Sequence, residues 1–405
     1  MRAARFHAAG DVRIEDIPSP QASDNEDKVL IEVEWCGICG SDLNYSKLSC
    51  IGPFAIPNPR RGPHPLTKDI LPVTMGHEFT GRIVHVPESL PETSTGQPLQ
   101  IGQAVVIDPR YYCSSCNPCT LSATNCCETI GFVGLSGGGG GLSEVVAVNP
   151  SQVYVIPEPP STGTEGEEGE ERERVDLAAA ALIEPLAVAW HAVKMSRATT
   201  LSAQIGSDSS EEKKDLSNIP ILIVGAGPVG VAMAFVLKAW GTQQILVSEP
   251  SKARREMLEE TGIVTDILDP TTTDVAKRVK EVTGHGVGVV FDCAGSQPGL
   301  VAGCDSLRFR GSYINLAVPK SPINLPLMPF MRKEIAYKCS LAYDQGDFRE
   351  TVDAFVAGRF KGVERMITRR VVLEDIVEQG FKELIKPNDH IKILATPKKR
   401  NVAPI

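Results

Sequence analysis

Along the first 156 residues the apolar positions fall into short β-branched runs, KVLIEVEW, GRIVHV, QAVVID, EVVAV and VYVIP, each cut off by Gly, Pro or a polar cluster. Runs of this length and composition predict strands, and their frequent interruption predicts an irregular β-rich domain. The texture changes after about residue 218. IPILIVGAGPVG, QQILVSEP, GVVFDCAG and RGSYINLAV are continuous apolar strands separated by helical stretches, the pattern of a parallel sheet with helices on both faces. Between the two textures, VDLAAAALIEPLAVAWHAVKM (175–195) has helix-forming composition with Pro185 inside it, which predicts a helix that ends or kinks beside Glu184. Two polar stretches, 161–174 without a single apolar residue and 202–218, predict solvated insertions. The pieces after residue 344 return to the first domain. The expected fold is α/β, with a β-rich domain over 1–189 and 344–405 and a doubly wound nucleotide-binding domain over 190–343.

A chain of 405 residues with 42% apolar content has enough material for two cores. Its net charge of −9 argues against electrostatic partnership with nucleic acid or an anionic membrane surface, and leaves small molecules as the expected partners. No apolar run approaches the ~18 residues of a membrane-spanning helix, and MRAARFHAAGDVRIEDI reads as a strand rather than a secretory leader. Eleven cysteines in such a chain suit a reducing compartment, with the cytosol as the expected address.

Gly225, Gly227 and Gly230 form G-x-G-x-x-G between the apolar strand ILIV and an amphipathic helix that opens with Pro228 and Val229. Gly225 permits the turn, Gly227 lets backbone approach a pyrophosphate, and Gly230 lets helix and strand pack closely, so the pattern predicts a dinucleotide site at the helix N-terminus. Glu249, about twenty residues on, ends the next strand, where a carboxylate accepts the ribose hydroxyls and favours NAD over NADP. Arg254 is within reach of a 2′-phosphate and counts among the cofactor-binding candidates, although the plainer reading of Arg254 and Arg255 is an exposed helical face.

Cys113, Cys116, Cys119 and Cys127 follow C-x2-C-x2-C-x7-C. Four thiolates at such intervals close a tetrahedral structural zinc site, with Cys126 as a less well spaced substitute for Cys127. Cys36 and Cys39 in EVEWCGICGSDLN are then left for another purpose. His77, followed by Glu78, and Glu184 beside the Pro break supply an imidazole and carboxylates, and one thiolate with them leaves a zinc position open for water or substrate.

Through CGICGSDL, HPLT, PVTMGHEFTG, GFVGLSGGGGGLSE, EPLAVAWHAV, SLAYDQGDFRE and LEDIVEQGF, the chain resembles the zinc-dependent medium-chain dehydrogenases, and within them the butanediol dehydrogenase branch. The resemblance spans nearly the whole chain apart from the two polar insertions. It implies a GroES-like catalytic domain joined to a Rossmann domain, two zinc ions and NAD (with NADP as the alternative), and a homo-oligomer. By the same resemblance Cys39, His77 and Glu184 match ligands of the catalytic zinc, and Cys36 matches a packed non-ligand thiol. Glu78 matches a neighbouring carboxylate that can coordinate the zinc or exchange with its water. Ser41 matches the hydroxyl that takes the alcohol proton, and Asp42 a supporting carboxylate. The implied reaction interconverts a secondary alcohol or vicinal diol such as 2,3-butanediol with its ketone by hydride transfer.

Two departures stand out. Asn44 occupies a position where the branch commonly has histidine, and asparagine does not titrate near neutral pH, so the proton needs another exit. The stretch 45–61 is longer than the usual loop beside the substrate pocket. Alternatives from other classes are a polyol or bulky-alcohol dehydrogenase, a zinc-free quinone or enone reductase, and a non-catalytic dinucleotide-binding protein; the joint presence of Cys39, Ser41, His77 and Glu184 speaks against the last two.

Overall fold

The computed structural model describes residues 1–8, 10–44, 62–88, 98–158, 175–200, 216–319, 321–386 and 389–398. The polar stretch 161–174, most of 202–218 and the segment 45–61 lie outside the described residues. The β-branched runs build a seven-stranded sheet in the order Val153–Val155, Ala104–Ile107, Glu78–His85, Val29–Gly37, Lys392–Thr396 and Ile367–Val372, with Val145–Val148 also paired to Val29–Gly37. Neighbours are antiparallel except for Lys392–Thr396 and Ile367–Val372, which run parallel.

The strand Val29–Gly37 carries the main local irregularity. Val29, Ile31 and Val33 enter one core, but the register against Glu78–His85 shifts between Val33 and Trp35. An extra residue in a strand reverses which side chains face inward beyond it. Cys36 and Ile38 therefore rejoin the same core, while Trp35 packs on the opposite side. The bulge sets the orientation in which the chain enters Cys39.

The second texture forms a six-stranded sheet in the order Asp266–Leu268, Ile245–Ser248, Ile221–Val224, Val287–Asp292, Leu307–Asn315 and Ala336–Cys339, parallel throughout. The strand order reverses between Ile221–Val224 and Val287–Asp292, which places the ligand crevice at their carboxyl ends. The helix Pro228–Ala239 buries every residue from Gly230 to Leu237 because it lies in one apolar cluster with the sheet and with the helix Ile183–Thr200.

Pro185 acts differently from expectation. A short helix Leu177–Ala180 is followed by a turn, and Ile183–Thr200 then runs through Pro185 to the end of the described segment. Pro185 falls in the first turn of that helix, where its missing N–H has no intrahelical acceptor to lose. The break thus precedes Glu184 and places it in the first turn of a long helix.

The chain does return to the first sheet near its end: Leu394 pairs with Gly37 and Ala395 with Cys36. Phe235 is 2% exposed in the shared apolar cluster, so Phe235→Ala leaves a cavity that costs about 3–5 kcal/mol. A lower denaturant midpoint with an unchanged far-ultraviolet spectrum is the expected result.

Candidate active site

Cys39 opens the short helix Gly40–Asn44, and its N–H donates to Asp42 Oδ2 at 2.9 Å. His77 sits just before the strand Glu78–His85, after Gly76 at φ +96°, where a side chain would be strained and would also collide with Cys36 Sγ at 2.6 Å. These two turns bring the ligand atoms of Cys39, His77 and Glu78 within 4.8 Å of one another. Ser41 Oγ is 3.2 Å from His77 Nε2. On the far side of the ring His77 Nδ1 faces Asp42 Oδ1 at 3.6 Å, too long for a hydrogen bond, and both atoms are buried without a partner. Burial works against a charged imidazole, but Asp42 and then Cys39 outweigh it and hold His77 well above its ordinary range.

Glu184 is buried but not in the closest set of three; its Oε1 accepts the hydroxyl of Tyr343 at 3.0 Å. Burial first, and the Glu78 carboxylate second, push its pKa up to about 7 against the opposing pull of His77. Glu78 is turned the other way. Both its oxygens accept from Lys392 Nζ, at 2.8 and 2.6 Å, with each side chain 1% exposed. The carboxylate lies so close to the sheet that a Cβ on Gly37 would meet Glu78 Oε2 at 2.1 Å. Burial disfavours the Lys392 ammonium, yet Glu78 above all keeps its pKa above the ordinary value. Cys36 is a packed thiol, as expected, pushed well up by burial and then by Asp42. Asn44 ends its helix, and its side chain lies outside the described residues.

The cysteine lobe is a separate cluster. The sulfurs of Cys113, Cys116, Cys119 and Cys127 lie within 4.8 Å of one another, while Cys126 is exposed and outside the set. Cys116 Sγ and Cys127 Sγ are 3.9 Å apart, near the ~3.8 Å edge of a tetrahedron with ~2.3 Å Zn–S bonds. Backbone N–H groups of Cys116 and Cys113 point at Cys113 Sγ and Cys127 Sγ at 3.3 Å each, which suits anionic sulfur. Ser115 hydrogen bonds draw the Cys113 thiol down to about 5, whereas burial pushes Cys119 up to about 12.

In the nucleotide domain Gly225 turns at φ +95° between strand and helix, and Gly227 caps the helix that begins at Pro228 and Val229. A Cβ on Gly230 would stand 1.9 Å from Gly225 O. Glu249 directly follows the strand Ile245–Ser248 rather than ending it, and its carboxylate is buried and already accepts the N–H of Ala226 at 2.6 Å and of Ser251 at 2.8 Å. It braces the glycine loop.

The two arginines are not an exposed face: both are partly buried and they diverge. Arg255 turns to Asp269 and to the carbonyls of Glu249 and Pro250. Arg254 stays beside the loop, with Nη1 3.9 Å from where a Gly227 Cβ would lie, Nη2 donating to His390 O at 3.2 Å and Nε buried without a partner. That guanidinium and the helix N-terminus together make an anion-binding corner. His390 and Lys392 are two residues apart, a span of about 7 Å in an extended chain. One segment therefore touches both the nucleotide corner through His390 and the metal cluster through Lys392.

The alcohol dehydrogenase GroES-like domain family matches residues 25–158 and the zinc-binding dehydrogenase family matches 228–357. The (R,R)-butanediol dehydrogenase of Neisseria gonorrhoeae is 34% identical over 98% of this chain and 99% of that protein. The crystal structure of 2R,3R-butanediol dehydrogenase from Bacillus subtilis superposes with a TM-score of 0.79 at 32% identity, covering 98% and 99% of the two chains. A probable D-xylulose reductase A of Aspergillus fumigatus is 30% identical over 95% of this chain and 93% of its own. The chain belongs to the zinc-dependent medium-chain alcohol dehydrogenases, with a GroES-like domain and a Rossmann-like domain. It is an oxidoreductase of the class that uses zinc and a nicotinamide dinucleotide, and its likeness to butanediol dehydrogenases extends over the full length. Among the described residues no helix is long and apolar enough to cross a membrane.

Sequence reasoning missed Lys392, Tyr343 and Arg110. A lone lysine in the apolar run HIKILAT was a usable signal, since a lysine is almost never fully buried without a partner. Gly230→Ala should abolish dinucleotide binding, read as loss of nucleotide-dependent protection against thermal unfolding, because the new methyl cannot coexist with the Gly225 carbonyl.

Proposed function

We propose that this enzyme interconverts a vicinal diol of the 2,3-butanediol type and the corresponding α-hydroxyketone, acetoin, with NAD(H) as the preferred cofactor. The observation that carries the reading is the convergence of Cys39, His77 and Glu78, with Ser41 against the imidazole, in a chain alike along its whole length to butanediol dehydrogenases. Cys39, His77 and Glu184 are the proposed ligands of a catalytic zinc, and Cys113, Cys116, Cys119 and Cys127 of a structural one. The fit rests on the buried donors and on His77 Nδ1 and Asp42 Oδ1, which a ligated imidazole would draw into a hydrogen bond. Bound zinc supplies Lewis-acid polarisation of the substrate oxygen, and the nicotinamide supplies the hydride acceptor or donor.

The chain's own groups do the rest. Ser41 Oγ takes the alcohol proton. Asp42 orients His77. Glu78 lies beside His77 with both its oxygens held by Lys392, so that a substrate oxygen arriving there meets less repulsion. A diol offers a second oxygen next to the reacting carbinol, which fixes the carbon presented for hydride transfer. The Gly225, Gly227 and Gly230 loop with Arg254 receives the pyrophosphate, and Glu249 bars a 2′-phosphate by charge.

The same reading places the enzyme in the cytosol, where lobe thiols stay reduced for metal. It also makes the enzyme a homo-oligomer, an assembly supported by the sheet edge Ala336–Cys339 and by exposed Leu327, Met328 and Met331. A polyol such as xylitol is the second reading, favoured by the likeness to the xylulose reductase.

Steady-state rates with 2,3-butanediol stereoisomers, xylitol, sorbitol, 2-butanol and ethanol decide between them. A diol is expected to exceed ethanol in kcat/KM by at least about tenfold, and inactivity with every diol would sink the diol reading while sparing the dehydrogenase. The same assays with NAD and NADP should favour NAD; a preference for NADP would hand the decision to Arg254. Metal analysis should find two zinc ions per chain. Cys39→Ala is expected to lose one of them together with turnover while keeping the fold, and Cys119→Ala chiefly to lower the unfolding temperature.

A further inference from the structure

The segment 341–345 is tied to the cysteine lobe at three points. Asn125, between Cys119 and Cys127, donates from Nδ2 to Leu341 O at 2.9 Å. Tyr112, which precedes Cys113, reaches Gln345 Oε1 at 3.4 Å. Arg110 Nη1 bridges Thr124 Oγ1, at 3.0 Å, and the carbonyl of Tyr343. Arg110 is fixed in turn. Its Nε and Nη2 hold both oxygens of Asp108, at 2.9 and 2.6 Å, in a fully buried fork. Its guanidinium lies 4.6 Å above the centre of the Tyr343 ring, whose other contacts include Phe348 at 5.4 Å. At the far end the Tyr343 hydroxyl donates to Glu184 Oε1.

We propose that the cysteine lobe acts on the catalytic centre through Tyr343: the lobe positions segment 341–345, and Tyr343 as a positioning residue holds the Glu184 carboxylate in the orientation the catalytic zinc requires. The inference rests on the ligand assignment of the proposed function. Its physical basis is geometric. Glu184 has a single hydrogen-bond donor from a side chain among the described residues, that donor is the hydroxyl of a fully buried ring packed between Arg110 and Phe348, and the ring's backbone is anchored by the lobe rather than by the helix that carries Glu184. A carboxylate steered by such a partner loses metal affinity when the partner goes, by about 10- to 100-fold in comparable sites.

The test uses the full-length zinc enzyme and its cobalt-substituted form, with Cys39→Ala marking which metal is catalytic. Tyr343→Phe removes only the hydroxyl and keeps the ring between Arg110 and Phe348. It should release the catalytic zinc to a chelator about tenfold or more faster and alter the cobalt spectrum, while the lobe zinc leaves at the wild-type rate. The double variant Thr124→Val, Asn125→Ala cuts two tethers at the lobe and should accelerate release of the same catalytic zinc, although neither residue touches the cluster. Wild-type release and spectrum in Tyr343→Phe would overturn the inference alone. Wild-type enzyme that takes up only one metal, unaffected by Cys39→Ala, would overturn the ligand assignment and this inference with it.

Discussion

The contact on which the site depends is the buried ion pair between Lys392 and Glu78. Asp42, Glu78 and Glu184 are buried acidic groups close to the His77 imidazole, and a second buried cation beside Glu78 offsets their mutual repulsion. Lys392 supplies it from a strand that is 314 residues away in sequence from Glu78. Breaking a pair of this kind by removing one partner costs about 3–5 kcal/mol, because the survivor stays buried and uncompensated. The pair also closes the sheet, since Lys392 Nζ reaches Ile38 O as well as Glu78 and so fastens the last strand to the turn that delivers Cys39.

The same C-terminal segment organises the opposite wall. Ser251 Oγ donates to Asp389 Oδ1 and Arg254 to His390 O, just before Lys392 turns to Glu78. The corner at Arg254 and the Cys39, His77 and Glu78 cluster are thereby referenced to one short piece of backbone. Their relative placement is then a matter of a few residues in a strand rather than of the long path through the intervening domain. On the other flank Tyr343 and Arg110 reference Glu184 to the cysteine lobe.

What was legible in the sequence was local. The lobe cysteines and the glycine loop each declare themselves within about fifteen residues, since spacing alone brings thiols to one ion or backbone to a phosphate. Cys39 and Ser41 are brought by the fold to His77, distant in sequence. Illegible were contacts made only by the tertiary fold: Lys392 to Glu78, and Tyr343 to Glu184 across 159 residues. Pro185 was misread because its effect depends on helix position, and a proline in a first turn starts a helix as readily as another ends one. The two neighbouring arginines looked alike in sequence, yet one faces Asp269 and the other the glycine loop, because successive residues on a helix point about 100° apart.

The central place of the strand Lys392–Thr396 has a consequence for how the molecule is made on the ribosome. The parallel sheet draws all its strands from Ile221 to Cys339, a contiguous stretch that can close while synthesis continues. The first sheet cannot. Val29–Gly37 is synthesised early and Val145–Val148 can cover Val29 to Glu32, but Cys36 and Gly37 wait for Ala395 and Leu394. Until then Cys36 and Gly37 present unpaired backbone and Glu78 lacks its lysine. The parallel sheet can thus pair before Glu78 meets its lysine, and the two sheets are completed in that order.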